Sequence, residues 1–439
     1  MVRLLTVSRY PHFFDGPEYV RLAGMEWGEA MQASHLSVHP ISYAVWGGVA
    51  KIWPEGGALA LAMVSVGMGA VGLMVLEAYL KRWGKRARWM GGLAYIFWPL
   101  AQLIQTNVAT ESMTQTLLIV GLYGWWRSWR EGGWWKVLGV LGVVGAIINF
   151  PGAVWWVGLL LVIGRMEGKI RQGIIAIVWS CAVAGVGLMG AYHLGGLGIE
   201  RMIVLWEEHG NLVRFIHSPI EIVRVIYQAS QALIYNYGWG AILVGGWLMV
   251  EKMRKGKKED LGWMALVGAI YLMSMSYWHG GIYGRPGGVM MFVLAILLAR
   301  VPKKIGLLAL GISCLSWVGT VRAYQETPMA ERVRVAVEEQ CREAGLVVFS
   351  DLMRPQLTEV EGLVGERYIY IGPNNMTEIE EQICEVNEGG GKVCVTKEAW
   401  DYPYRQDDGQ QRHPLQGGNK TGELAKRIEE KSIRLVRID

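Results

Sequence analysis

Much that would point to a common function is scarce in this chain, and each scarcity removes a class of reading. There are only five cysteines and no Cys-x-x-Cys pair, which argues against a zinc site built on paired thiolates. Cys181 and Cys314 lie in apolar runs and read as packing residues. Cys341, Cys384 and Cys394 lie near the C-terminus, where one disulfide is allowed if that segment faces an oxidising compartment. Charge is sparse, at 18% of residues, and the net charge of +5 is not gathered into a basic face, so no nucleic-acid partner is expected. The N-terminal residues do not run in the order charged segment, apolar segment and small-residue cleavage site. The first apolar segments are therefore expected to direct membrane insertion. The run Gly389-Gly390-Gly391 is not a nucleotide fingerprint, because it follows a predicted helix and precedes a predicted strand. There is no convincing internal repeat, which weighs against a transporter built from related halves.

What is abundant is apolar sequence. A membrane span needs roughly 20 apolar residues. Runs of about that kind fall at 57–80, 89–106, 112–127, 136–149, 152–164, 172–193, 239–250, 261–278, 287–301 and 304–321. Alternate connections are basic: Lys81, Arg82, Lys85, Arg86 and Arg88; Arg127, Arg130 and Lys136; Arg165, Lys169 and Arg171; Lys252, Arg254, Lys255, Lys257 and Lys258; Arg300, Lys303 and Lys304. The intervening short loops carry a single basic residue, Arg285. The positive-inside rule then places the basic loops in the cytoplasm and the 14–55 region, the 194–238 loop and the C-terminal tail outside. Many of the 21 tryptophans crowd loop edges, among them Trp83, Trp89, Trp134 and Trp135, as interfacial anchors do. Ten spans with both ends outside leave the N-terminus one crossing short, so residues 1–14 are expected to be the remnant of a first helix, the alternative being an end translocated without one.

The chain divides by composition into residues 1–321 and residues 322–439. The expected fold is a polytopic α-helical membrane protein of about ten spans with a small extracytoplasmic α/β domain. In that domain, helices are predicted at 329–344, from a Thr377 cap to Asn387, and at 421–431. Strands are predicted at Leu346–Phe349, Arg367–Ile371, Lys392–Thr396 and Ile433–Ile438. This alternation favours a small, mainly parallel sheet. The domain reads as a lid or an acceptor-binding module. A helix is also expected from Pro40 toward Trp53 along the interface. Segment 198–237 reads either as an amphipathic cover or as an acceptor-binding surface.

Two carboxylates stand out at the mouth of this bundle, in Phe14-Asp15-Gly16-Pro17-Glu18-Tyr19-Val20. Acidic groups in such places are costly to hold and are usually functional, although an ordinary solvated loop is the alternative. The arrangement suits transfer of a sugar from a lipid carrier to an acceptor hydroxyl. The hydroxyl needs a general base, for which Asp15 is the candidate. Glu18 could orient the acceptor or a cation. The leaving lipid phosphate needs donors, and Arg285, in Tyr277-Trp278-His279-Gly280-Gly281-Ile282-Tyr283-Gly284-Arg285-Pro286, offers a bidentate fork. Arg285 could equally be an interfacial snorkelling residue.

Asp15-Gly16-Pro17-Glu18, then His35 and His39-Pro40-Ile41-Ser42-Tyr43, resembles the GT-C glycosyltransferases that use polyprenyl-phosphate sugars. The likeness is greatest to the protein O-mannosyltransferase-like family, whose first loop carries Asp-x-x-Glu and a similar His-Pro segment. Phe97-Trp98-Pro99 through Thr110-Glu111-Ser112 is also similar to that family's third-helix exit. The resemblance implies a GT-C-like bundle, a base role for Asp15 and a place near the cavity mouth for Glu111. Substrate-binding candidates are His35, His39, Tyr43, Glu111, His279, Tyr283 and Arg285, although His35 and His39 could instead cap and pack. The expected partners are a polyprenyl-phosphate sugar donor, a protein, glycan or lipid acceptor, and membrane lipid, at the plasma membrane. No cofactor is certain from the residues, and room is left for a divalent cation. A polysaccharide polymerase or ligase, a lipid-linked-sugar transporter and a non-catalytic assembly protein are the competing readings.

Overall fold

The computed structural model describes residues 2–8, 16–32, 40–148, 150–196, 198, 200, 203, 223, 226–227, 230, 234, 238–254, 267–271, 289–325, 329–350, 357–358, 363–371, 376–400 and 435–438. The chain is mainly helical and divides into two compact units, Met1–Gln325 and Glu326–Asp439.

The first unit opens with four helices of modest length: α1 (Val2–Leu5), α2 (Gly16–Ala23), α3 (Trp27–Gln32) and α4 (Pro40–Ile52). Helix α4 begins with proline, whose missing N–H costs nothing in a first turn. Longer helices follow: α5 (Gly57–Leu80), α6 (Gly84–Phe97), α7 (Pro99–Gln105), α8 (Thr110–Glu131), α9 (Leu138–Ile148), α10 (Phe150–Met166) and α11 (Ile170–Leu194). After them the described helices of this unit are α12 (Trp239–Arg254), α13 (Met290–Arg300) and α14 (Lys303–Gln325).

Residues 89–106 are not one continuous span. Trp98 is extended, with ψ of 131°, and separates α6 from α7. The cause is Pro99, whose ring disfavours helical backbone at the residue before it and then serves as the first residue of α7. Helix α8 ends where Gly132 and Gly133 take φ of +71° and +76°, a left-handed pair that other residues adopt only under strain. Helices α8 and α9 then pack closely through glycine. A Cβ added to Gly121 would lie 2.5 Å from the Gly142 nitrogen and 2.9 Å from the Trp156 ring.

Among the described residues, three helical stretches are long and apolar enough to cross a membrane: Pro54–Phe97, Ile170–Leu194 and Lys303–Arg322. Shorter apolar helices lie at Gly133–Ile148, Gly152–Arg165 and Trp239–Glu251. Helix α11 shows the pattern clearly. It buries Gly173, Ala176, Ser180 and Tyr192, while Ile174, Ile175, Val178, Val186 and Met189 stay exposed. A face this apolar is poorly tolerated by water and suited to hydrocarbon.

The second unit is a four-stranded parallel sheet in the order β2-β1-β3-β4, formed by Leu346–Ser350 (β1), Tyr368–Ile371 (β2), Val393–Thr396 (β3) and Leu435–Ile438 (β4). Its described helices are α15 (Met329–Gln340), α16 (Met376–Glu388) and the short α17 (Lys397–Trp400). Leu346, Val348, Val393 and Val395 share one core with Ile379 and Ile383 of α16. Val347 and Phe349 point to the other face, where the Phe349 and Tyr370 rings stack at 5.3 Å. A disulfide joins Cys341, just after α15, to Cys394 in β3. Helix α16 begins at Met376, so Thr377 is its second residue rather than its cap. The helix expected at 421–431 lies outside the described residues.

Candidate functional site

The acidic motif and the His-Pro motif each lead into a helix, and those two helices pack together. Gly16 and Pro17 open α2 immediately after Asp15. One turn on, Tyr19 turns inward and its ring lies 4.8 Å from that of Trp46 in α4. Pro40 opens α4 immediately after His39. Tyr43, in the first turn of α4, is buried and donates its hydroxyl to the Met25 carbonyl at 2.5 Å, fixing α4 to the turn after α2. Burial raises the Tyr43 pKa, and the carboxylates of Glu26 and Glu29 push in the same direction. The phenol therefore stays protonated at neutral pH and holds its bond to the Met25 carbonyl.

A third segment meets them. After α7 the chain turns through Thr106, Asn107 and Val108, and α8 starts at Thr110. Val108 and Met113 belong to the same core cluster as Tyr19, Leu22, Tyr43 and Trp46. Glu111 sits in the first turn of α8, where a carboxylate interacts favourably with the helix dipole. The Thr110 hydroxyl lies 3.4 Å from its Oε2. The neighbourhood of Glu111 thus adjoins the cluster under α2 and α4.

Of the other candidates, Asp15, His35, His39, His279, Tyr283 and Arg285 lie outside the described residues. Glu18 falls within α2, but its side chain is not among those described. Among the described residues there is no group of three or more His, Cys, Asp or Glu side chains placed to hold a metal ion.

Sequence reasoning missed a buried polar seam beside these segments. Gln102, Gln105, Thr106, Asn107, Thr110, Ser112, Thr114, Gln115 and Thr116 are all buried. Arg3 of α1 donates to Gln102 Oε1 and to the Ile96 carbonyl. Trp317 Nε1 donates to the same Gln102 oxygen at 3.1 Å, and Gln102 Nε2 donates to Thr6 Oγ1 at 2.7 Å. One amide side chain thus links α1, α7 and α14. Farther along, Gln105 Nε2 donates to the Tyr95 hydroxyl at 2.9 Å, Ser112 Oγ lies 3.0 Å from Ser65 Oγ, and Thr116 Oγ1 donates to the Met68 carbonyl at 2.8 Å.

These partners line one stripe of α5, at Ser65, Gly69 and Gly72. A Cβ on Gly69 would fall 2.7 Å from Gln105 Oε1, so glycine there is what admits the amide. Small residues facing polar ones are the usual way helices associate in an apolar medium. The sequence signal was present as Ser65-x-x-x-Gly69-x-x-Gly72 opposite Gln102-x-x-Gln105. What it lacked was any indication of which helices would pair.

No protein-family model, no curated protein and no solved structure matches this chain. The functional reading therefore rests on the residues and on their arrangement.

Proposed function

We propose that this protein is an integral membrane glycosyltransferase of GT-C type that moves a hexosyl group from a polyprenyl-phosphate donor to an extracytoplasmic acceptor hydroxyl. In this scheme the bundle has about ten spans, the basic loops are cytoplasmic, and the C-terminal domain is outside. Asp15 takes the proton of the acceptor hydroxyl, and the acceptor oxygen forms a bond to the anomeric carbon. The bond from that carbon to the phosphate oxygen breaks, and its electron pair leaves with the lipid phosphate. Arg285, with His279 and Tyr283 beside it in sequence, stabilises that leaving group. Glu18 and Glu111 orient the acceptor, and His35 and His39 contact substrate. Tyr43 spends its proton on Met25 and keeps its oxygen lone pairs as acceptors.

The observation that carries this reading is the shared cluster of Tyr19, Tyr43, Trp46, Val108 and Met113. It draws together the elements that follow Asp15 and His39 and the turn that precedes Glu111, three segments selected from sequence for one chemistry. The Cys341–Cys394 disulfide supports an oxidising, extracytoplasmic setting for the second unit.

The test is incubation of purified protein with a panel of labelled polyprenyl-phosphate sugars, comparing the natural chain with Asp15→Asn. The amide keeps the size of the carboxylate but takes up no proton at neutral pH, so transfer should fall about 10²–10⁴-fold. A correctly inserted Asp15→Asn protein that turns over normally on an identified donor defeats the assignment.

A further inference from the structure

The end of the bundle formed by the 81–88, 165–171 and 300–304 connections carries cations that no described carboxylate neutralises. The three connections are tied together. Arg82 pairs with Glu167 at 2.7 Å, stacks 4.2 Å over the Tyr79 and Trp83 rings, and shares Glu167 with Trp126 Nε1 at 3.1 Å. Arg86 donates to the Val301 carbonyl at 2.7 Å. The nearby carboxylates are also committed, Glu77 to Arg88 at 3.4 Å and Glu131 to Arg127 at 2.7 Å.

What remains is Lys81, Lys85, Lys169, Arg171, Lys303 and Lys304, all exposed and none in an ion pair with a described residue. Their positions make the excess more pronounced. Helices α6, α11 and α14 all start at this end, and none has an acidic residue in its first turn. A helix N-terminus carries about half a positive charge and ordinarily favours anions. Here Lys85, Arg171, Lys303 and Lys304 occupy first turns, against that preference. The placement is unfavourable unless anions other than the described carboxylates reach it.

The same end sets its depth. Two of the three membrane-length stretches begin here, at Ile170 and Lys303, and the third turns here at Lys81–Trp83. Trp89 and Trp134 stand 72% and 62% exposed on the neighbouring surface, as tryptophans do at headgroup level. We propose that this end is a docking surface for anionic phospholipid headgroups, whose phosphates neutralise the six cations and the three helix N-termini. The inference rests on insertion of the three apolar stretches and is independent of the glycosyl-transfer reading.

The full chain, reconstituted in phosphatidylcholine nanodiscs with a minor fraction of phosphatidylglycerol, reports this through spin-labelled lipids of the two headgroups. The natural protein should hold phosphatidylglycerol several-fold more strongly than phosphatidylcholine at low salt. Each cation near an anionic surface contributes roughly a fivefold factor, and the preference should fade near 1 M salt, where the screening length is about 3 Å. Replacing the six residues with glutamine (K81Q, K85Q, K169Q, R171Q, K303Q and K304Q) should bring the ratio close to unity. A chain with Arg at the five lysine positions should keep it. No preference in the natural protein, or an undiminished preference in the glutamine protein, overturns the proposal. So does equal loss in the arginine protein, because charge would then not be the cause.

Discussion

Replacing Gln102 with leucine tests whether the buried seam is a structural clasp. Gln102 is 2% exposed, and its Oε1 accepts from both Arg3 and Trp317 Nε1 while its Nε2 donates to Thr6 Oγ1. Leucine removes the shared acceptor. One guanidinium N–H and one indole N–H then lose their partner, although Arg3 keeps the Ile96 carbonyl. An unsatisfied buried donor costs about 1–3 kcal/mol, and both groups here are half-buried, so about 1–2 kcal/mol each is appropriate. Leucine returns about 1 kcal/mol through its added apolar surface. The net loss should be about 1–3 kcal/mol, read by denaturant titration of the folded protein in detergent. Gln102→Glu should behave differently. It keeps both acceptor roles at unchanged size, so it should lose less than leucine does. Leucine and glutamate variants that both match the natural protein at neutral pH would falsify the clasp. Leucine and glutamate variants that lose equally would show that the N–H donated to Thr6 Oγ1, which both lack, is what matters.

Gly142→Ala should cost about 1–3 kcal/mol, because a Cβ there runs into the Trp156 ring, and thermal unfolding in detergent measures it; an unchanged midpoint would mean that α9 shifts freely. Replacing Cys341 and Cys394 with alanine should destabilise the second unit by about 4 kcal/mol, given a sequence separation of 53 residues. Limited proteolysis of the full chain should then cleave that unit first, and unchanged protection counts against the estimate. A cysteine placed at Lys255 should resist an impermeant thiol reagent in sealed cells, while one at Asp408 should react. The reverse labelling would put Asp15 on the cytoplasmic side and end the proposed mechanism.

The helical character of the first unit and the parallel sheet of the second follow from periodicity and alternation, which are local properties. Helix α4 starts at Pro40 and the sheet contains the four expected strands because proline, glycine and β-branched residues act within a few residues of themselves. The break at Trp98–Pro99 was also local, and it went unread because the flanking residues are uniformly apolar and hide the interruption. The Thr377 cap failed for a related reason, since a terminal turn is set by backbone geometry that composition leaves free by a residue or two.

What the sequence by itself determined is therefore where apolar runs fall, which connections are basic, and which side chains carry the chemistry to be tested. Tertiary structure alone decided which of those segments meet. Only packing set Tyr19 on Trp46, drew Val108 into the same cluster, laid Gln105 against Gly69, and chose Cys341 and Cys394 over Cys384. Only packing showed which cations are spent on Glu167, Glu77 and Glu131 and which are left facing outward. The physical reason is common to all of these. Helix and strand formation are governed by neighbours in the chain, whereas pairing between elements depends on shape and polar matching among residues far apart in sequence, such as Arg3 with Gln102 and Gln102 with Trp317.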